Sequence, residues 1–128
     1  MILRDVMTNK NVVDKFFSNW SQGDLDSVMA LCTEDVVWDN VPMKPVRGRT
    51  AIRNFLEKFS KGMSDIKYDI ANALEDADSL MLEGVENYTK NGKKVSVRYM
   101  ASFKFREGKI CSWSDYFDLS TVTRQLAD

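Results

Sequence analysis

Carboxylates carry most of the chemistry available to this chain, because none of its 128 residues is histidine. That removes Ser-His-Asp and Cys-His nucleophile systems and any imidazole metal ligand. Proton transfer then falls to carboxylates, Tyr, Lys or Cys. Two acids stand out by register. In the segment from Lys109 to Leu119, counting by twos places Asp115 on the side of Trp113 and Cys111, the apolar side of a strand. In the segment from Ser79 to Tyr88, the same count aligns Glu86 with Leu80, Leu82, Gly84 and Tyr88. A buried carboxylate costs several kcal/mol unless it is paired, protonated or hydrogen-bonded. Two inward carboxylates from different strands make a candidate acid/base pair. Asn40, in Trp38-Asp39-Asn40, adds an amide that can hold a water beside a carboxylate, with both a donor and an acceptor. The blander reading stays open: Glu86 solvated at a sheet end, Asp115 paired with an arginine, and Asn40 beginning a turn before Pro42.

The elements that must position these residues follow from periodicity. Val12, Val13, Phe16, Phe17 and Trp20 recur at helical spacing and predict a helix ending near Gly23. Asp24 can cap a shorter helix carrying Leu25, Val28, Met29, Leu31 and Cys32. The run Val36 to Val41 reads as a short strand stopped by Pro42 and Pro45. Ile52, Phe55, Leu56 and Phe59 predict a third helix to about Lys61, with Thr50 or the residue before it as cap. The period then changes to two. Ile66–Leu74, Ser79–Tyr88, Lys94–Phe105 and Lys109–Leu119 read as four strands, with Asn91-Gly92 and Glu107-Gly108 as tight connections. A short helix or ordered tail closes the chain. The expected class is α+β, with about three helices packed over one face of a strongly curved mixed or antiparallel sheet, around a deep pocket. Its wall is expected to include Trp38, Leu82, Gly84, Val97, Tyr99, Phe103 and Trp113.

Composition bounds the rest. A hydrophobic fraction of 44% with 11% aromatic residues over this length predicts a single domain spanning 1–128. Eighteen basic against nineteen acidic residues, scattered rather than clustered, predict no nucleic-acid partner. Cys32 and Cys111 read as ordinary reduced core residues and point to the cytoplasm. Met1-Ile2-Leu3-Arg4-Asp5 lacks an apolar leader pattern, and no apolar run approaches the ~20 residues of a membrane span.

Together, the element order and four segments carry a family resemblance. They are Gln22-Gly23-Asp24-Leu25-Asp26, Trp38-Asp39-Asn40-Val41-Pro42, Gly48-Arg49-Thr50-Ala51-Ile52 and Trp113-Ser114-Asp115-Tyr116-Phe117-Asp118. Over nearly its whole length the chain resembles the limonene-1,2-epoxide hydrolase family, within the SnoaL-like, NTF2-like superfamily of cone-shaped domains. The resemblance implies Asp115 as base on a water and Asn40 as its holder. It puts Trp38 in place of a water-holding tyrosine, Glu86 in place of the acid aspartate, and Gly84 in place of an arginine that bridges the carboxylates. Losing that cation is the weightiest departure, since a guanidinium offsets repulsion between two like charges. Without it, the two carboxyls are expected to share a proton.

The same cone suits other readings. A SnoaL-like cyclase would use Asp115 or Glu86, and a ketosteroid-isomerase-like enzyme would place its base at Asn40, which cannot abstract a proton. A non-catalytic small-molecule-binding domain is favoured by Gly84. No nucleotide, flavin or metal motif occurs, so cofactor-free chemistry on an apolar cyclic or polyketide-like molecule is expected. Arg98 opposes Val97 and Tyr99 in parity and is expected to face outward. Met100, Ser102 and Lys104 share that face, and its apolar part suggests a homodimer.

Overall fold

Alternation of apolar residues dictates most of what the computed structural model contains; it describes residues 8–128. The leader reading at Met1 to Asp5 lies outside them. The first helix, α1 (Asn9–Ser21), starts where the Thr8 side chain accepts from the Asn11 amide, and it buries Val12, Val13, Phe16, Phe17 and Trp20. Asp24 caps α2 (Leu25–Ala30) by accepting from Ser27 N, as expected.

Strand β1 (Cys32–Asn40) begins earlier than its β-branched run suggests, and α2 correspondingly ends before Leu31 and Cys32. The cause is pairing: the Leu31 carbonyl accepts from Ile110 N at 2.9 Å, and Cys32 lies opposite Ile110. A two-residue strand, β2 (Val46–Arg47), folds back on Val37 and Trp38 and was not legible in the sequence. Helix α3 (Arg49–Phe59) is capped by Gly48 rather than Thr50, with no side-chain cap bond. The Arg49 guanidinium instead bonds the Cys32 carbonyl and ties α3 to β1.

Four long strands follow: β3 (Met63–Glu75), β4 (Ser79–Lys90), β5 (Lys93–Arg106) and β6 (Lys109–Phe117). They form an antiparallel run, and β1 joins β6 in parallel, so the sheet is mixed with the order β2-β1-β6-β5-β4-β3. Register shifts between Ser64 and Lys67, Ile70 and Asn72, and Lys104 and Phe105 mark bulges that bend the strands. The last of these corrects the sequence parity. Cys111 is the extra residue, so Ile110, not Cys111, faces inward with Trp113, while Asp115 keeps the inward side.

The chain ends in a fourth helix, α4 (Leu119–Leu126), held to β5 by Gln125, which donates to Ser96 O at 2.8 Å and accepts from Ser96 N at 2.9 Å. Helices and sheet thus make an α+β cone. Between helix and sheet the rings of Phe16 and Phe17 pack edge-on against Phe103 at 5.6 and 6.0 Å. No helix among the described residues is long and apolar enough to cross a membrane.

Candidate active site

Strand pairing decides which polar groups meet. Asn40 lies opposite Asp115 in the parallel β1–β6 pair, and Trp38 opposite Trp113. The two indoles stack at 5.5 Å with their planes 20° apart. That stacking aims the Trp38 Nε1–H at Asp115 Oδ2, to which it donates at 2.8 Å. Trp38 therefore spends its one donor on the carboxylate itself rather than on a water. Two strands away on β4, Glu86 pairs with Tyr68 of β3 on one side and Val97 of β5 on the other.

Asp115 and Glu86 line one cavity of about 120 Å³, with Trp38, Asn40, Val97, Tyr99 and Trp113 also in its wall. One water needs roughly 10–15 Å³ by the same kind of measure, so there is room for a small molecule as well as water. Phe59, Tyr88 and Phe117, with Leu119 and Val122 from α4, complete an apolar lining. The wall differs from the sequence expectation at three positions. Leu82 and Phe103 are closed into the core, 2% and 0% exposed, because α1 lays Phe16 and Phe17 over that part of the sheet.

Gly84 is the third. A Cβ there would come within 2.3 Å of the Asp69 carbonyl oxygen and 3.1 Å of Ile70 Cα. The bulged backbone of β3 occupies the space a side chain would need, so no arginine could extend from this position. No other cation compensates: among the described residues, none that lines the cavity is lysine or arginine. Arg98 is exposed on the outer face, as its parity requires.

Electrostatics follow from this apolar, cation-free setting. Burial pushes Glu86 up to about 7; the Tyr68 hydroxyl turned toward it opposes the rise, and the negative charge of Asp115 adds to it. Burial likewise pushes Asp115 up to about 6, against the indole N–H of Trp38 and a smaller contribution from Trp113. Burial thus favours the protonated form of both carboxyls, while the Trp38 indole N–H favours the ionised form of Asp115. Tyr68 and Tyr99 are both held well above the usual phenol range, first by burial and then by Glu86 and Asp115, so both remain neutral donors.

Two polar atoms of the wall lack partners among the described residues: Asn40 Oδ1 and the Tyr99 hydroxyl. The Asn40 amide nitrogen makes only a 3.5 Å contact with Met43 Sδ. Tyr68 is the member of this group that sequence reading missed. The alternation Ile66-Tyr68-Ile70 put it on the inward face, but nothing in the sequence told that β3 would set it opposite Glu86.

Fold and site together define a cone-shaped α+β domain with two carboxyl groups, both raised by burial, in an apolar cavity. The chain belongs to the SnoaL-like domain family, whose model matches residues 13–113. It is similar to the epoxide hydrolase EphG of Mycobacterium tuberculosis, 24% identical over 114 residues, which cover 89% of this chain and 76% of that protein. Among solved structures, an LEH-like epoxide hydrolase of the same organism superimposes with a TM-score of 0.80 at 22% identity, over 92% of this chain and 91% of that one. A protein assigned as a polyketide cyclase from Pseudomonas putida superimposes with a TM-score of 0.83 at 21% identity, over 95% and 100% of the two chains. These likenesses establish the NTF2-like cone.

Proposed function

We propose that this protein is a cofactor-independent, epoxide hydrolase-like enzyme acting on an apolar cyclic or polyketide-like small molecule. The observation that carries this reading is the unequal pair: Glu86, raised to about 7, and Asp115, about 6 and fixed by Trp38, facing one apolar cavity. Asp115, ionised, takes a proton from a water held by Asn40. The water oxygen attacks an epoxide carbon, the carbon–oxygen bond breaks, and Glu86 gives its proton to the departing oxygen. The product is a vicinal diol. The proton gained by Asp115 returns to Glu86 through solvent, so the net change is addition of one water. General acid and base each contribute about 10²–10⁴-fold in such reactions.

The test is turnover of a panel of cyclic and terminal epoxides in isotopically labelled water. Label entering the diol in a single turnover, with none in the protein, supports direct water attack. Failure to convert any member, with apolar ligands still raising the melting temperature, would favour the second reading, a non-catalytic binding domain. The specific observation on that side is the cation-free wall at Gly84.

We also propose a homodimer through the convex face of the sheet. Leu74 lies opposite Met81 and Met100 opposite Tyr116, and these four are 80%, 57%, 54% and 52% exposed. Neighbouring apolar groups on adjacent strands suit a self-complementary contact. Sedimentation of the wild type as a dimer and of Met100→Lys as a monomer would support it; a wild-type monomer at all concentrations would reject it.

A further inference from the structure

The hydroxyl of Tyr99 is a wall donor that the reaction above leaves unused and that lacks a partner among the described residues. Tyr99 is 7% exposed, its oxygen is enclosed, and it has no hydrogen-bond partner among the described residues. Buried hydroxyls are nearly always paired, so an orphan in a cavity wall marks a place where a ligand atom completes the bond. Its position is fixed from three sides. Tyr99 sits opposite Gly84 on β4, two residues from Glu86, and its ring meets that of Tyr68 edge-on at 5.8 Å. Phe17 stacks on Tyr68 at 4.3 Å and packs edge-on against Tyr99 at 6.4 Å. The Tyr68 hydroxyl turns to the Glu86 carboxyl, and Tyr99 lies near enough to feel the charge of the same carboxyl.

We propose that Tyr99 and Glu86 form a binding site for a single neutral acceptor oxygen, and hence that the ligand is an uncharged molecule, apolar elsewhere, bearing an epoxide or carbonyl oxygen. This deepens the hydrolase reading and rests on it for the identity of the site. An anionic ligand is disfavoured by two carboxyls and a wall without lysine or arginine. A cationic ligand would satisfy the carboxyls but offers no acceptor to the Tyr99 hydroxyl. An ether or carbonyl oxygen has two lone pairs and can take both the Glu86 proton and the Tyr99 O–H. Two neutral donors on one oxygen then polarise the carbon–oxygen bond as negative charge develops on that oxygen.

The experiment uses three probes of similar size, cyclohexanone, methylenecyclohexane and cyclohexylammonium, titrated against the fluorescence of Trp20, Trp38 and Trp113, which all line the cavity, in the intact protein and in Tyr99→Phe. One neutral hydrogen bond is worth about 0.5–1.5 kcal/mol, so the variant should bind cyclohexanone roughly three- to tenfold more weakly. Its affinity for methylenecyclohexane, which has the same shape without the oxygen, should not change. Equal effects on both probes, no effect on either, or tightest binding of cyclohexylammonium would overturn the inference. The two readings fail separately: probe binding as described without epoxide turnover sinks only the hydrolase. Turnover with an unaltered cyclohexanone affinity in Tyr99→Phe sinks only the oxygen site.

Discussion

The indole nitrogen of Trp38 donates to Asp115 Oδ2 at 2.8 Å, the bond that orients this carboxylate. The bond joins two adjacent parallel strands and is held by the stacking of Trp38 on Trp113. It selects the ionised form of a carboxyl that burial would otherwise protonate more fully. A tyrosine at this place could both donate and accept, whereas an indole can only donate. Water positioning in the proposed reaction therefore falls on Asn40, whose Oδ1 is free to accept from it.

Trp38→Phe should expose this role in the pH profile. With Asp115 near 6 as base and Glu86 near 7 as acid, kcat/KM for an accepted epoxide should form a narrow bell between those values. Removing a donor to a charged group shifts its titration by about one pH unit or more. The acid limb should move alkaline, toward the Glu86 limb, and the maximum should fall; an unmoved acid limb would mean that the indole does not tune Asp115.

Stability should carry the opposite signature. Both carboxyls have folded-state pKa values raised above their ordinary values of 4.5 and 3.8, so the folded protein binds more protons than the unfolded chain between about pH 4 and 7. Stability contributed by the protonated groups is full below the unfolded values and is lost as pH rises through the folded ones. Glu86→Gln or Asp115→Asn should therefore stabilise the protein by roughly 1–3 kcal/mol at pH 8 relative to the wild type. The difference should vanish near pH 4, as read by denaturant titration at the two pH values.

Gly84→Ala should destabilise without touching a catalytic atom. The added methyl would meet backbone, the Asp69 carbonyl at 2.3 Å, which cannot swing aside as a flexible side chain would. Overpacking of this kind costs about 1–3 kcal/mol. A variant as stable as the wild type would show that β3 lies farther from β4 than the structure has it.

The long strands were legible because their alternation is strong: Val95 to Phe105 places every second residue inward without interruption. Glu86 and Asp115 were visible as acids on apolar faces for the same reason. What stayed hidden depends on pairing between distant segments. Nothing local announces that Cys32 opposes Ile110, that Cys111 is a bulge, or that Tyr68 lies across from Glu86. Parity gave the side of Leu82 and Phe103 but not their depth, since the bulk of Phe16 and Phe17 decides where core ends and cavity begins. Gly84 read as a lost cation; the approach of β3 gives it a steric reason.

The most direct test of Asp115 as the general base is the single-turnover rate of Asp115→Asn on an epoxide that the wild type opens. Asparagine keeps the shape and can still accept from Trp38, but it cannot take a proton from water at neutral pH. The expected result is a folded variant slowed by about 10²–10⁴-fold, the worth of a general base. A variant that retains the full wild-type rate would contradict that role.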